Sequence, residues 1–268
     1  MESARYRGRA GPMNEGTPAV DSPAAPPPVG GPGWAYFFDL DGTLVDLVDP
    51  PAVVRVDPGL RELLESLRHA SGGAVALISG RSLKDIDTLF PGEPPIPAAG
   101  QHGLERRGAD GRLTPHAPPS GLDAARRILT GLADRRIEVE DKGLSLAIHY
   151  RLAPQLGGYA GRLARLAAAQ AGPQYTVLPG KRIVEIKPSG RDKGVAVREF
   201  MEEPPFRGRV PVFVGDDITD EHGFEMVNAL GGASIKVGAG ETLARWHLRD
   251  VRAVRAWLTR AIAAAQVP

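Results

Sequence analysis

The chain has 268 residues, 42% of them hydrophobic, no cysteine, and 33 Lys+Arg against 32 Asp+Glu for a net charge of +1. That much apolar content buries a core, while the charge balance excludes a global field that would select nucleic acid or an anionic membrane surface. The missing cysteines exclude disulfides, thiolate nucleophiles and cysteine metal sites and fit a reducing compartment.

Residues 1–33 are rich in Pro, Gly and Ala with almost no large apolar side chains, which predicts a disordered tail. No apolar run reaches the roughly 18–20 residues that cross a bilayer, and the N-terminal stretch lacks the apolar core of a secretory signal. A cytoplasmic protein with no membrane partner is expected, as a monomer. Order is predicted to begin at Trp34, where AYFFDL (35–40) reads as a buried strand ending on a Gly-containing turn. Asp57 and Pro58 read as an N-cap and first helical residue, followed by Leu60, Leu63, Leu64 and Leu67 at helical spacing. AVALIS (74–79) is a second buried strand, ending at Ser79-Gly80-Arg81, and a helix carrying Leu83, Ile86 and Leu89 follows. Strand alternating with helix predicts a parallel α/β sheet.

The pattern changes near residue 106. It gives a helix over 121–135, strands IEVE and LSLAIHYR, a helix over 157–171, and strands YTVLP and KRIVEIKP joined by a Pro-Gly turn. The α/β rhythm then returns with a helix over 193–203, the strand VPVFVG, a helix over 221–230, the strand ASIKV and a last helix. The expected architecture is a doubly wound parallel sheet (34–105 and 188–268) interrupted by an α+β insertion (106–187), with hinges near Arg106 and Pro188 to Gly190.

In an open parallel sheet, ligands bind beyond the carboxyl ends of the strands. Asp39 and Asp41, Ser79, Lys193, and Asp216, Asp217 and Asp220 are all expected there. Several carboxylates in one partly desolvated cleft cannot all stay ionised without a cation, and all-oxygen ligands suit Mg²⁺. Asp39 and Asp41 leave the strand end on one side because residues i and i+2 share a face. One is thus placed to attack phosphorus while the other handles the proton. Thr43, Ser79 and turn amides are candidate donors to the phosphoryl oxygens. The DLDGT stretch is no calcium loop, since Leu44 falls where the glycine belongs and Pro50 where the bidentate glutamate belongs.

These motifs resemble the haloacid dehalogenase superfamily, whose aspartate-based phosphatases carry D-x-D-G-T, then Ser/Thr, then Lys, then paired acids. More narrowly, FFDLDGTL, LISGRS, AAGQHGLERR, VEDKGLSLAIHYR, VEIKPSGRDKG and VFVGDDITDE are similar to stretches of the trehalose-6-phosphate phosphatase family and cover residues 35–268. The resemblance implies a HAD-like core with an α/β cap, and Mg²⁺-dependent hydrolysis of a small sugar phosphate through an aspartyl-phosphate, as in trehalose biosynthesis. It implies Asp39 as nucleophile and Asp41 as acid/base. Asp39, the Asp41 carbonyl and Asp216 are implied as metal ligands, with Asp217 and Asp220 as supporting acids. Lys193 is implied to neutralise phosphate and Ser79 to bind it, with Gly80 and Arg81 completing that loop. His102, Gly103, Glu105, Glu140, Lys142, His149, Arg151, Glu185 and Lys187 are its candidates for the sugar hydroxyls.

Within LSLAIHYR, Ser145, Ala147, His149 and Arg151 share one face and Leu146, Ile148 and Tyr150 the other, so one side suits a hydroxylated ligand. A solvent-facing cap strand would read the same way. In VEIKP, Ile183 shares the face of Glu185 and Lys187, so alternation there is less clean. Competing readings are a capped phosphatase for sucrose phosphate or a glycosyl-phosphoglycerate, a phospho-acceptor signalling module, and a catalytically dead regulator.

Overall fold

The computed structural model describes residues 26–47, 54–115, 119–180 and 182–266. Side chains on β1 (Trp34–Phe38) decide the layering, because successive residues point to opposite faces of the sheet. Tyr36 and Phe38 pack with α1 (Pro58–Ala70) and α7 (Val251–Ala265), whereas Ala35 and Phe37 pack with α5 (Lys193–Met201) and α6 (Glu221–Ala229). A strand buried on both faces reads as a continuous apolar run. That is why AYFF shows no polar alternation.

Helix α1 starts where the sequence says: the Asp57 side chain accepts from the Leu60 amide, with Pro58 at the first position. It presents Leu60, Leu64 and Leu67 to the core. β2 (Val75–Ile78) and α2 (Leu83–Leu89) follow, then β10 (Val210–Gly215) and β11 (Ala233–Val237) in the C-terminal half. The eight-stranded sheet runs β12-β11-β10-β1-β2-β3-β4-β5, where β3 is Ala98–Gly100, β4 Glu105–Arg107, β5 Leu113–Pro115 and β12 Trp246–Leu248. From β12 to β3 it is parallel, and β4 and β5 add antiparallel strands at one edge. These four short strands were not anticipated. Three residues are too few to display a period, and each of these strands is defined by its pairing with a neighbouring strand.

A second, four-stranded antiparallel sheet runs β6-β7-β9-β8, formed by β6 (Glu138–Asp141), β7 (Leu146–His149), β8 (Tyr175–Gly180) and β9 (Ile183–Pro188). Leu146, Ile148, Val184 and Ile186 pack against α3 (Leu122–Leu132) and α4 (Gly157–Ala171) in their own apolar cluster. The change of pattern near residue 106 falls earlier than this unit: Glu105–Arg107 and Leu113–Pro115 still pair with the large sheet.

The tail expected over 1–33 needs a correction at its inner end. Residues 1–25 lie outside the described ones, but 26–33 lie on the core. Val29 packs there, the Pro28 carbonyl accepts from Trp257 Nε1 at 2.9 Å, and the Pro32 carbonyl from Arg209 at 2.7 Å. A buried indole N–H needs an acceptor, and this segment supplies one despite its poor apolar content. No described helix is long and apolar enough to cross a membrane.

Candidate active site

The parallel register of β1 and β10 pairs Phe38 with Val214, and the Asp39 amide donates to the Val214 carbonyl at 2.9 Å. Asp39 and Asp216 therefore emerge side by side beyond the strand ends. Two glycines make room for the acids. A Cβ on Gly42 (φ 84°) would stand 2.3 Å from Asp216 Oδ2, and one on Gly215 2.3 Å from Asp220 Cγ.

Lys193 enters from the start of α5, which Asp192 caps by accepting from the Val195 amide. Its ammonium lies 2.9 Å from Asp39 Oδ1 and 2.7 Å from Asp220 Oδ1, and the lysine is only 2% exposed. Burial alone would push it toward neutrality, but the ion pairs with Asp220 and Asp39 outweigh that and hold it charged. Burial pushes Asp39 well above the usual carboxylate range; Asp220 and Asp216 push it further, against the pull of Lys193. The other Asp220 oxygen accepts from the Asp216 and Asp217 amides, each at 2.9 Å. Asp217 and Asp220 form a reciprocal capping box around the turn that carries Asp216.

Asp39, Asp216 and Asp220 each bring an oxygen within 4.8 Å of the others. Three carboxylates exceed the two ammoniums at hand, Lys193 and Lys236, whose Nζ donates to the Asp216 carbonyl at 2.7 Å, and a divalent cation on hard oxygen ligands would balance that excess. The donor set fits such an ion. Asp220 has both oxygens already engaged with Lys193 and the Asp216 and Asp217 amides, so Asp39 and Asp216 are the carboxylates that could hold such an ion.

Asp41 is turned toward the second loop, where Arg81 takes both of its oxygens at 2.6 and 2.7 Å. In that loop Ser79 Oγ accepts from the Arg81 amide at 3.2 Å. The Gly80 carbonyl accepts from Lys142 Nζ of the small sheet at 3.1 Å. The cleft between the two sheets is about 220 Å³ and brings together most of the candidates. The core contributes Asp39, Asp41, Ser79, Gly80, Arg81, His102, Lys193, Asp216 and Asp217, and the small sheet contributes Glu140, Lys142, His149, Arg151 and Glu185.

On the small sheet, His149 pairs with Glu140 at 2.8 Å. Glu185 is buried beneath Lys142 (3.4 Å), His102 (2.9 Å) and the Ser145 hydroxyl (2.7 Å). Burial would raise its carboxyl, yet those partners hold it well below the usual range. Burial pushes the His102 imidazole down despite Glu185, and His102 Nδ1 is buried without a hydrogen-bond partner. Protonation would strand a second N–H there. His102 is therefore neutral, its Nε2–H donating to Glu185.

Besides Asp220, which braces the floor from beneath, four candidates lie off the cleft. Glu105 Oε1 accepts from the Leu83 amide at 2.7 Å at the head of α2. The Gly103 carbonyl accepts from Arg191 at 3.1 Å. Lys187 is buried, with Nζ donating to the Arg191 carbonyl and burial lowering its pKa. Thr43 is fully buried in the turn after β1, its hydroxyl without a partner. Gly103 and Glu105 stand where the core leads toward the small sheet and Lys187 where the chain returns from it, positions close to the ligand in sequence and displaced from it in space. Conversely, Ile183, Leu178 and Gly180 line the cleft and were missed as ligand contacts. The weak alternation of VEIKP already put Ile183 on that face. Gln101 was missed because the turn it opens follows β3, a strand too short to be read.

A doubly wound sheet with Asp39 and Asp41, a buried lysine and paired acids at its carboxyl edge, covered by a separate small sheet, defines a haloacid-dehalogenase-type phosphatase. The fold agrees: a phosphatase of the HAD superfamily from Bacteroides thetaiotaomicron superposes with a TM-score of 0.60 at 14% identity, over 83% of this chain and 92% of that one. More specifically, the trehalose-phosphatase family model matches residues 37–252. The trehalose-6-phosphate phosphatase of Escherichia coli is 45% identical over 228 residues, 84% of this chain and 85% of the relative. The C-terminal domain of the Candida albicans trehalose-6-phosphate phosphatase shares the fold at 22% identity with a TM-score of 0.76, over 87% of this chain and 93% of that one. The chain belongs to the trehalose-phosphatase family and is a phosphoric monoester hydrolase.

Proposed function

We propose that this chain hydrolyses trehalose 6-phosphate to trehalose and phosphate through an aspartyl-phosphate on Asp39, with Mg²⁺ as the resident cation. The observation that carries the reading is the buried Asp39–Lys193–Asp220 bridge beside Asp216 at the floor of a cleft roofed by Glu140, Lys142 and Glu185.

Asp39 and Asp216 would hold the cation, with the Asp41 carbonyl as the family resemblance implies. Bound there, Mg²⁺ supplies charge neutralisation for the phosphoryl oxygens and for the acids. Lys193 and the Ser79 hydroxyl bind the remaining oxygens. An Asp39 oxygen attacks phosphorus, a P–O bond to Asp39 forms, the bond to the sugar oxygen breaks, and Asp41 gives that oxygen its proton. Water then attacks the same phosphorus, its proton returns to Asp41, and the Asp39–phosphorus bond breaks. Arg81 is drawn from Asp41 by the incoming phosphate charge, which frees the carboxyl for this role.

The small sheet acts as a cap that recognises the sugar. Its cleft is below the ~300–1,000 Å³ usual for ligand pockets, so the cap opens to admit a disaccharide phosphate and closes to exclude bulk water. The test is phosphate release from trehalose 6-phosphate, glucose 6-phosphate and sucrose 6-phosphate with Mg²⁺ and with excess chelator. Fast release from the first alone, stopped by chelator, is expected. Equal rates on all three would overturn the substrate, and full activity in chelator would overturn the cation.

A further inference from the structure

Backbone strain is concentrated where β3 hands over to β4. Gln101 and His102 stand consecutively in the left-handed region, at φ 47° and 56°. Side chains with a Cβ avoid that region, and two in a row persist only where their surroundings over-determine them. The backbone of this turn is bonded to the phosphoryl-side loop: the Gln101 amide donates to the Arg81 carbonyl at 2.8 Å and the His102 amide to the Ser79 carbonyl at 2.9 Å.

The Gln101 side chain reaches in the other direction, to the turn between β6 and β7. Its Nε2 donates to the Lys142 carbonyl at 2.9 Å, and its Oε1 lies 3.1 Å from Ser145 Oγ, which shares its single proton with Glu185. Glu105 Oε1, 3.4 Å from the same Nε2, backs the amide in this orientation. Gln101 is 2% exposed and does not line the cleft. One residue thus joins the cap turn carrying Lys142 to the loop carrying Ser79 and Arg81.

We propose that Gln101 is a positioning residue that clamps the β6–β7 turn onto the phosphoryl-side loop, so that Lys142 and Glu185 are seated over the sugar only when Ser79 and Arg81 are in place. This rests on the reading of the small sheet as a sugar-recognising cap. A buried amide with both ends bonded is costly to unpair, which makes the seated arrangement a discrete state.

The test uses Gln101→Met, which keeps the volume and removes the polar ends, with two substrates and one structural measurement. For trehalose 6-phosphate, kcat/KM should fall about 10- to 100-fold. For p-nitrophenyl phosphate, which needs only the core, it should stay within about threefold. Amide hydrogen exchange over residues 141–146 should become faster at the same time. Parallel loss on both substrates, or unchanged exchange in that turn, overturns the proposal. Should Gln101→Met fail to fold, Gln101→Gly, which carries no left-handed penalty, must show the same split. If the parent protein hydrolyses the aryl phosphate but not trehalose 6-phosphate, the substrate reading fails by itself, and the exchange measurement still decides the clamp.

Discussion

Arg81 grips both carboxylate oxygens of Asp41, through Nε at 2.6 Å and Nη2 at 2.7 Å. A fork of this kind orients the carboxyl, and lysine cannot reproduce it. Arg81→Lys should therefore lower kcat on trehalose 6-phosphate by about 10-fold. Asp41→Asn should lower it by about 10²–10⁴. With p-nitrophenyl phosphate, whose leaving group needs no proton, Asp41→Asn should give a burst of nitrophenolate equal to the enzyme and then stall. Steady turnover at the parent rate would remove Asp41 from proton transfer.

Asp39 and Asp220 share one ammonium with Asp216 close by, so the site holds more negative charge than its lysine neutralises. Asp39→Asn removes a buried charge that burial and its acidic neighbours already disfavour. Activity should drop by at least about 10³-fold. In calorimetry without divalent cation, Tm should hold or rise. A lower Tm would show that Asp39 is there for stability.

Lys193→Met leaves the same acids buried without their cation, a change that costs ~3–5 kcal/mol when one partner of a buried pair is removed. Denaturant midpoints should report that loss. Added Mg²⁺ should raise Tm for the parent by mass action, and less for an Asp216→Asn variant.

Acid weakens the join between cap and core in a defined window. The His102 pKa is lowered from 6.5 by burial, so the unfolded chain takes up a proton as pH falls below about 6.5 while the folded chain resists. Stability should be flat above that pH and decline below it, approaching ~1.4 kcal/mol per pH unit for one proton. Glu185, held below its ordinary 4.5, adds a loss of the same sign once the pH falls below that value. The slopes of Tm against pH for the parent and for His102→Gln should differ most between pH 6.5 and the lowered His102 value. Superimposable curves would contradict a buried neutral imidazole.

The packed segment before β1 is also testable. Trp257→Phe keeps most of the apolar contact but leaves the Pro28 carbonyl without its donor, so a loss of about 1–2 kcal/mol is expected. Trp257→Ala should cost about 3–5 kcal/mol. A cost near zero for both would mean that this N-terminal stretch does not brace the core.

Local chemistry made much of the fold readable. Asp57 with Pro58 marks the start of α1, the run VPVFVG coincides with β10, and the 157–171 periodicity coincides with α4. Such signals lie within one turn or one strand of the residues they govern. The four three-residue strands had none, because three residues show no period and each strand is defined only by pairing with a neighbouring one.

By itself the sequence determined the alternation of strands and helices, the strand ends on which Asp39, Ser79 and Asp216 would stand, and the polar face of β7 that carries His149. These follow from side-chain period and capping, which act over a few residues. Only the tertiary structure decided that Arg81 would hold Asp41, that Asp220 would brace Lys193 and two amides, that Glu105, Gly103 and Lys187 would fall outside the cleft, and that Gln101 would reach the β6–β7 turn. Each of these is a matter of a few ångströms between elements whose separation depends on how two sheets pack, and no local pattern along the chain encodes that distance.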